Sequence, residues 1–498
     1  MRIGDQIGSE YDPSQPYTSF REQKPEREHI LDKISRQLFG ERPEKPLESD
    51  RAQWAPKCNL LCPPGLVGEV AQYINSQCRY PRENLAVISA IVAVGNIGGL
   101  FYKIKDNKLT SNLFAFCVAG SATGKEAVLQ AVNDLHIEAG LAAAIHGSIK
   151  SEQEIVRNLI RHQAAFYIID ELGIFMRKLN MSHKSGGASY LQGVIGMLMA
   201  AYSKGNGSLL LSGDVKEEIK SGLSREYAAL QKRADDGDQV DDRLEDIKQT
   251  ILNIDNGLKN PFLSMIGFST PSTFNECVSF EQVTSGFIGR SLIINEPDTN
   301  PKRKRGFVAP EMPQSLIDKL QALTHTDSYN SAIPRIQAGT YKYITTTPEA
   351  QKALEESADW FEDEAEKHTE RTGFEAVVRR GYEMVEKVSF ILSIGSPERG
   401  LEAVEWANEY IRRDIEYKTL LAYSNVKEKV SPIESMAAKI LCSLDQNGIT
   451  VGRLVNKYRV KKSLVQDAVE YLERKDKIYT ENKFNKYNKS QSLIIFAK

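Results

Sequence analysis

The feature that most narrows the fold is a short apolar run, Leu113 to Val118. It ends in Ala119-Gly120-Ser121-Ala122-Thr123-Gly124-Lys125-Glu126 and passes at once into a helical pattern, Glu126 to Gly140. Strand, small-residue turn and helix in that order make a loop whose successive backbone N–H groups can point at one anion, with the helix N-terminus adding its dipole. Lys125 would bridge the terminal phosphates of ATP as a mobile point charge, and Ala119, Gly120, Ser121, Ala122, Thr123, Gly124, Lys125 and Glu126 are the candidate nucleotide-binding residues. One position departs from the usual pattern. Glu126 stands where a Ser or Thr hydroxyl normally ligates Mg2+, so its carboxylate either joins the metal or marks weakened turnover.

A second strand gives that loop its weight. Phe166-Tyr167-Ile168-Ile169 is apolar and delivers Asp170 and Glu171 to the C-terminal edge of a sheet, where open α/β folds bind ligands. Asp170 is expected to hold Mg2+ through its water shell, and Glu171 to polarise the attacking water as general base. The 45 residues from Lys125 to Asp170 (170 − 125) leave room for a strand at Ala142 to Gly147 and a helix at Ser151 to Gln163. Ser151 and Glu154 fit a capping box there. Such alternation predicts an α/β fold, a P-loop core with a parallel sheet and helices on its faces.

Further strands are expected at Phe262 to Phe268 and Phe287 to Asn295. The first ends in Ser269-Thr270, either a polar tip facing the terminal phosphate or a cap for the helix at Pro271. Arg290, in Gly286-Phe287-Ile288-Gly289-Arg290, is either an arginine finger, reaching a phosphate in its own or a neighbouring subunit, or half of a structural ion pair. Lys302-Arg303-Lys304-Arg305 is a basic loop that is either solvated or set against a nucleic-acid backbone. Asp214 to Asn256 is dense in charge and helically patterned, and reads as two antiparallel helices inserted into the core.

Length and composition bound the rest. With 498 residues, two or three domains are expected. Along the chain the expected segments are a flexible polar arm at 1–56, a helical collar at 57–106, the ATPase core at 107–310 with its charged insertion at 214–256, a helical lid at 311–430 and a separate domain at 431–498. No apolar run is long enough to span a bilayer. Leu85 to Leu100 is interrupted by Gly95, Asn96, Gly98 and Gly99, and a core helix explains it better. The start of the chain lacks the blocks of a signal peptide, and six scattered cysteines suit a reducing cytoplasm. Cys58 and Cys62 have no His or Cys cluster to complete a zinc site. The formal net charge is −2, so affinity for nucleic acid must come from local patches.

One such patch lies at the C-terminus. Ile433 to Leu444, Val451 to Tyr458 and Lys462 to Arg474 read as helices, and Ile478 to Thr480 with Leu493 to Phe496 as a two-stranded wing, the order of a winged helix-turn-helix. Residues 451–498 hold 12 Lys/Arg against 5 Asp/Glu, a balance of +7, with Tyr471, Tyr479, Phe484 and Tyr487 interleaved. Lys461, Lys462, Lys483 and Lys486 join Lys302, Arg303, Lys304 and Arg305 as candidate DNA contacts, and a protein–protein role for the winged helix is the alternative.

Taken in order, Pro63-Pro64-Gly65-Leu66-Val67-Gly68-Glu69, the buried helix near Val92, Thr110-Ser111-Asn112-Leu113, Gly147-Ser148, Asp170-Glu171, Gly286 to Arg290 and Arg379-Arg380 resemble a family of P-loop helicase-like proteins of phages and mobile elements. The likeness runs from about Pro63 to Tyr423. It implies a RecA- or AAA+-type ATPase with ATP and Mg2+ as ligands. It also implies action on DNA in replication as a homo-oligomeric ring, a hexamer favoured. The expected function is an ATP-dependent DNA helicase. The alternative is an ATP-switched replication initiator or helicase loader without motor activity, and a third reading is an ATPase independent of nucleic acid.

Overall fold

Five parallel strands, three of them buried along their whole length, form the main sheet of the fold. The structure, a computed structural model, describes residues 56–497 except 106, 122, 185–191, 237–239, 278–285, 297–300, 327–328, 372–373, 427–431, 442, 445–447, 459, 475–476 and 486–489. The polar arm read at 1–56 lies outside the described residues apart from Pro56. So do Ala122, Lys486 and Tyr487. The chain divides into a large unit ending at Val426 and a small C-terminal one after it.

The large unit opens with α1 (Gly65–Ser76) and α2 (Glu83–Gly98). Every residue of α2 from Leu85 onward is buried, as a helix apolar all round must be. Its glycines serve close packing: a Cβ on Gly98 would stand 2.2 Å from Cγ2 of Ile394. No helix of the described residues is long and apolar enough to cross a membrane. The chain continues through β1 (Tyr102–Ile104), β2 (Phe114–Val118), α3 (Lys125–Glu138), β3 (Ile145–His146), α4 (Glu152–His162), β4 (Ala164–Ile169), α5 (Leu172–Lys184) and α6 (Gln192–Ser203). Then come β5 (Ser208–Leu209), α7 (Gly213–Asp235), α8 (Asp241–Asn253), β6 (Leu258–Lys259), β7 (Phe262–Ser269), α9 (Pro271–Cys277) and β8 (Ser291–Asn295). The unit closes with α10 (Gln314–Thr324), α11 (Ile333–Ala338), β9 (Lys342–Thr346), α12 (Pro348–Arg371), α13 (Glu375–Leu392), β10 (Glu398–Arg399) and α14 (Leu401–Val426).

The central sheet has the order β3-β4-β7-β2-β8 with all pairs parallel. β2, β4 and β7 are buried along their whole length, as strands covered on both faces are. The carboxylate-bearing strand β4 is therefore one removed from β2, with β7 between them. β5 and β6 pair antiparallel and bracket the helices α7 and α8.

Several expectations change in detail. Ala142 to Gly147 is not one strand: Ala142–Ala144 forms a 3-10 turn and only Ile145–His146 pairs, because the alanine run offers no β-branched face to a sheet. The segment Leu100 to Lys105 holds β1, which pairs parallel with β9, and β9 in turn pairs parallel with β10. At the start of α4 the Ser151 hydroxyl accepts from Glu154 N at 3.2 Å, but the Glu154 carboxylate takes Lys150 N, not the Ser151 amide.

The small unit contains α15 (Pro432–Leu441), β11 (Ile449–Thr450), α16 (Val451–Tyr458), α17 (Lys462–Arg474), β12 (Ile478–Asn485) and β13 (Ser490–Ala497). Its wing is longer than the sequence suggests and carries a third strand, in the order β11-β13-β12, all antiparallel. Met436, Leu454, Val465, Leu472 and Ile495 close a core of its own.

Candidate functional site

The chain after β2 turns sharply because Ala119 is pinned, its N–H donating to the Ser269 carbonyl at 3.0 Å. Thr123 then folds back, its hydroxyl donating to the Gly120 carbonyl at 2.6 Å. Gly124 adopts φ +91° as the residue capping α3, a conformation costly for a side chain. Lys125 and Glu126 thus occupy the first turn of α3, Lys125 half-buried and Glu126 exposed. The loop thus ends at the N-terminus of α3, where helix-end amides and the helix dipole suit an anionic phosphate group.

A residue not singled out in the sequence holds the loop from beneath. Arg82 is fully buried, and its Nε donates to the Thr123 carbonyl at 2.6 Å while its backbone N–H donates to Asn75 Oδ1 at 2.8 Å. No motif flags it, since a lone arginine before a helix gives no sign of burial. Nearby, Glu296 N donates to the Val118 carbonyl at 2.8 Å, and the Asn84 amide donates to Glu296 Oε1 at 3.2 Å.

The β4–β7 register pairs Ile169 with Gly267, and the β2–β7 register pairs Val118 with Ser269. Asp170 and Glu171 therefore leave β4 level with Phe268 and Ser269, at the same sheet edge as the phosphate loop, and both carboxylates are exposed. Burial draws the Lys125 ammonium below its ordinary pKa, opposed by the charges of Glu171 and then Asp170. The fold thus brings the loop and the acidic pair together. Among the described residues no group of three metal-ligating side chains forms. Mg2+ ordinarily takes one or two carboxylates and completes its shell with water and phosphate, so the exposed carboxylates of Asp170 and Glu126 fit it as partners of a bound nucleotide.

Ser269 is buried at the tip of β7, its hydroxyl turned to the Thr270 carbonyl at 3.3 Å. Thr270 Oγ1 lies 2.8 Å from Thr273 Oγ1 and 3.4 Å from Thr273 N. Of the two readings of this pair, the structure places Thr270 as the cap of α9. Arg290 sits at the other edge. Its carboxyl-side neighbour Ser291 pairs with Phe114, at the start of β2, so Arg290 is level with Leu113. Six residues of extended chain, about 20 Å, separate it from Ala119. It cannot reach a phosphate held by its own loop. Its Nη1 donates to the Gly286 carbonyl at 3.2 Å, and the Arg380 guanidinium lies beside it, with burial and then the Arg290 charge lowering Arg380 from its ordinary value.

In the basic loop Lys304 is engaged within the protein: its N–H donates to the Arg79 carbonyl at 2.9 Å and its Nζ to the Asn75 carbonyl at 3.4 Å. Arg303 and Arg305 are exposed, as is Lys302. In the small unit Lys461 and Lys462 are exposed at the start of α17, and the backbone of Lys483 lies in β12.

Fold and loop together define a mixed α/β protein with a parallel-sheet core and a C-terminal winged-helix region, consistent with a RecA/AAA+-like architecture. No protein-family model and no curated protein matches the chain. Among solved structures it is similar to the ORC1 protein of Aeropyrum pernix in complex with DNA, with 10% identity over 83% of this chain and 88% of that one and a TM-score of 0.17. An overlap of that depth carries no weight for fold or function, and the class stated above rests on sheet order and loop geometry alone.

Proposed function

We propose that the chain is an ATP-binding DNA-replication protein in which ATP acts as an assembly switch, in the manner of an initiator or helicase loader. The observation that carries this is the convergence of the Lys125 loop with Asp170 and Glu171 on one sheet edge, in a chain that ends in a basic winged helix. Ala119 to Glu126 bind the triphosphate, Lys125 placing its charge at the terminal phosphates. Bound Mg2+, held by Asp170 with Glu126 at hand, would neutralise charge on the transferring phosphoryl group. Glu171 accepts the proton of the attacking water. Ser269 orients groups at the same edge, and Arg290 serves the site of a neighbouring subunit in a ring-shaped oligomer, for which a hexamer is proposed. Lys302, Arg303, Arg305, Lys461, Lys462, Lys483 and Lys486 contact DNA phosphates.

Glu126 favours the switch, because an exposed carboxylate replaces the hydroxyl that tightens Mg2+ in a fast hydrolase. Glu171 favours the second reading, a translocating helicase, because a carboxylate able to act as base is present at the β4 tip. ATPase rates with and without single-stranded DNA, solution mass with and without ATP, and a forked-duplex assay separate the two. The switch is expected to give ATP-dependent assembly with slow turnover and no strand separation. Strand separation lost in Lys125→Ala establishes the motor instead, and wild type that binds no ATP overturns both.

A further inference from the structure

Beyond the phosphate end of the site, the large unit contains a cavity of about 180 Å³ lined by Asn84, Asn295, Tyr410, Arg413, Asp414 and Tyr417 with two isoleucines of β8. That is more than ten times the ~10–15 Å³ one water requires. We propose that this cavity receives the nucleobase of the bound nucleoside triphosphate, with Asn84, Tyr410 and Arg413 reading its polar edge. This rests on the nucleotide reading of the Lys125 loop and adds to it the half of the ligand that the loop leaves unassigned.

Direction comes first. Asp170 and Glu171 lie on the β4–β7 side of the loop, so the terminal phosphate faces that side and the nucleoside must lead away from it. Away from β4 and β7 lies β8, the neighbour of β2 on its other flank, and strands in a sheet are about 4.8 Å apart. Asn295, the exposed last residue of β8, pairs with Val118 immediately before the loop and stands at the mouth of the cavity.

The lining is polar and incompletely satisfied. The buried Tyr410 hydroxyl faces the Arg413 side chain, without good hydrogen-bond alignment at the hydroxyl or at Nη2, and Glu296 Oε2 close by has no hydrogen-bond partner among the described residues. Leaving such groups dry is costly, and a heteroaromatic ring with donors and acceptors on its rim would satisfy them. The wall is rigid: Asp414 forms a buried ion pair with Lys418 and accepts from Ile293 N at 2.7 Å. Arg413 donates to Asn84 Oδ1 at 3.3 Å and lies 4.7 Å from the Tyr410 ring centre. Asn84 follows Arg82 by two residues, so one short segment both supports the phosphate loop and lines this cavity.

The test compares ATP with tripolyphosphate, which offers the phosphate loop its ligand without a base. Binding of each is measured for wild type, Tyr410→Phe, Asn295→Trp and Lys125→Ala. Tyr410→Phe is expected to weaken ATP about three- to tenfold, one hydrogen bond's worth, and Asn295→Trp, which blocks the mouth from an exposed position, to weaken it further. Tripolyphosphate affinity stays within twofold of wild type in both. Unchanged ATP affinity in both variants, or equal loss for ATP and tripolyphosphate, overturns the base pocket and leaves the phosphate loop standing. Wild type that binds neither probe overturns the nucleotide reading itself.

Discussion

The buried guanidinium of Arg82 offers the sharpest test of how the loop is held. Arg82→Met keeps a long apolar stem in the space but removes the Nε donor that meets the Thr123 carbonyl at 2.6 Å. A hydrogen bond from a charged donor to a buried acceptor is worth about 1.5–3 kcal/mol. Thr123 still closes the loop through its own hydroxyl on Gly120, so the fold of the strand is not at stake and the loss falls on the order of the cradle. At 1.4 kcal/mol per decade, ATP affinity should drop roughly 10- to 150-fold. Titration of ATP into the wild type and Arg82→Met, with a thermal melt of each, measures both quantities. Arg82→Lys keeps the charge without the fixed fork and should recover only part of the loss. A folded Arg82→Met protein that binds ATP within twofold of wild type refutes the reasoning, since the contact would then be packing and nothing more.

Three other outcomes are expected. His136 is fully buried, its Nδ1–H donating to the Val132 carbonyl and its Nε2 accepting from the Asn96 amide at 2.9 Å, and burial pushes its pKa down to about 4. The unfolded chain protonates it near 6.5, so stability is lost as pH falls from there toward 4, by up to about 3 kcal/mol; urea midpoints at pH 7 and pH 5 should converge in His136→Phe, and an unchanged gap rejects this. Arg290→Ala and Lys125→Ala should each lack ATPase activity, yet mixing the two should restore part of it, because some interfaces then combine an intact loop with an intact arginine; no recovery on mixing means Arg290 serves no neighbour. Lys461→Ala with Lys462→Ala should weaken DNA binding at all sequences and reduce the slope of log K against log salt by about two, and a slope equal to wild type removes both lysines from the interface.

What the sequence made legible was whatever depends on local pattern. β2 and its following loop, the β4 run ending in Asp170-Glu171, and α16 and α17 of the winged unit all fall where apolar period and turn residues put them. What stayed hidden depends on partners distant in the chain. Arg82 gives no local sign that Thr123, 41 residues on, will claim its guanidinium. Lys304 looks like one of four equivalent bases, yet Arg79 and Asn75 take it. The two residues of Ser269-Thr270 looked alike as well, and only the start of α9 shows that Thr270 is spent on capping while Ser269 stays buried at the strand tip.

Arg290 shows how topology can decide a chemical question that residue type leaves open. A guanidinium beside two glycines is equally suited to a phosphate or to a structural contact. Because β8 runs parallel to β2 and Arg290 precedes it, the side chain starts from the edge opposite the loop. Distance then rules out its own nucleotide, and the Gly286 and Arg380 contacts describe only the isolated chain. Two arginines held side by side, half-buried, repel one another; the Glu383 carboxylate offsets part of this cost, and a further anion would offset more. In the proposed ring a second copy presenting its bound triphosphate would supply such an anion, and for that reason the mixing experiment bears on assembly as directly as it bears on catalysis.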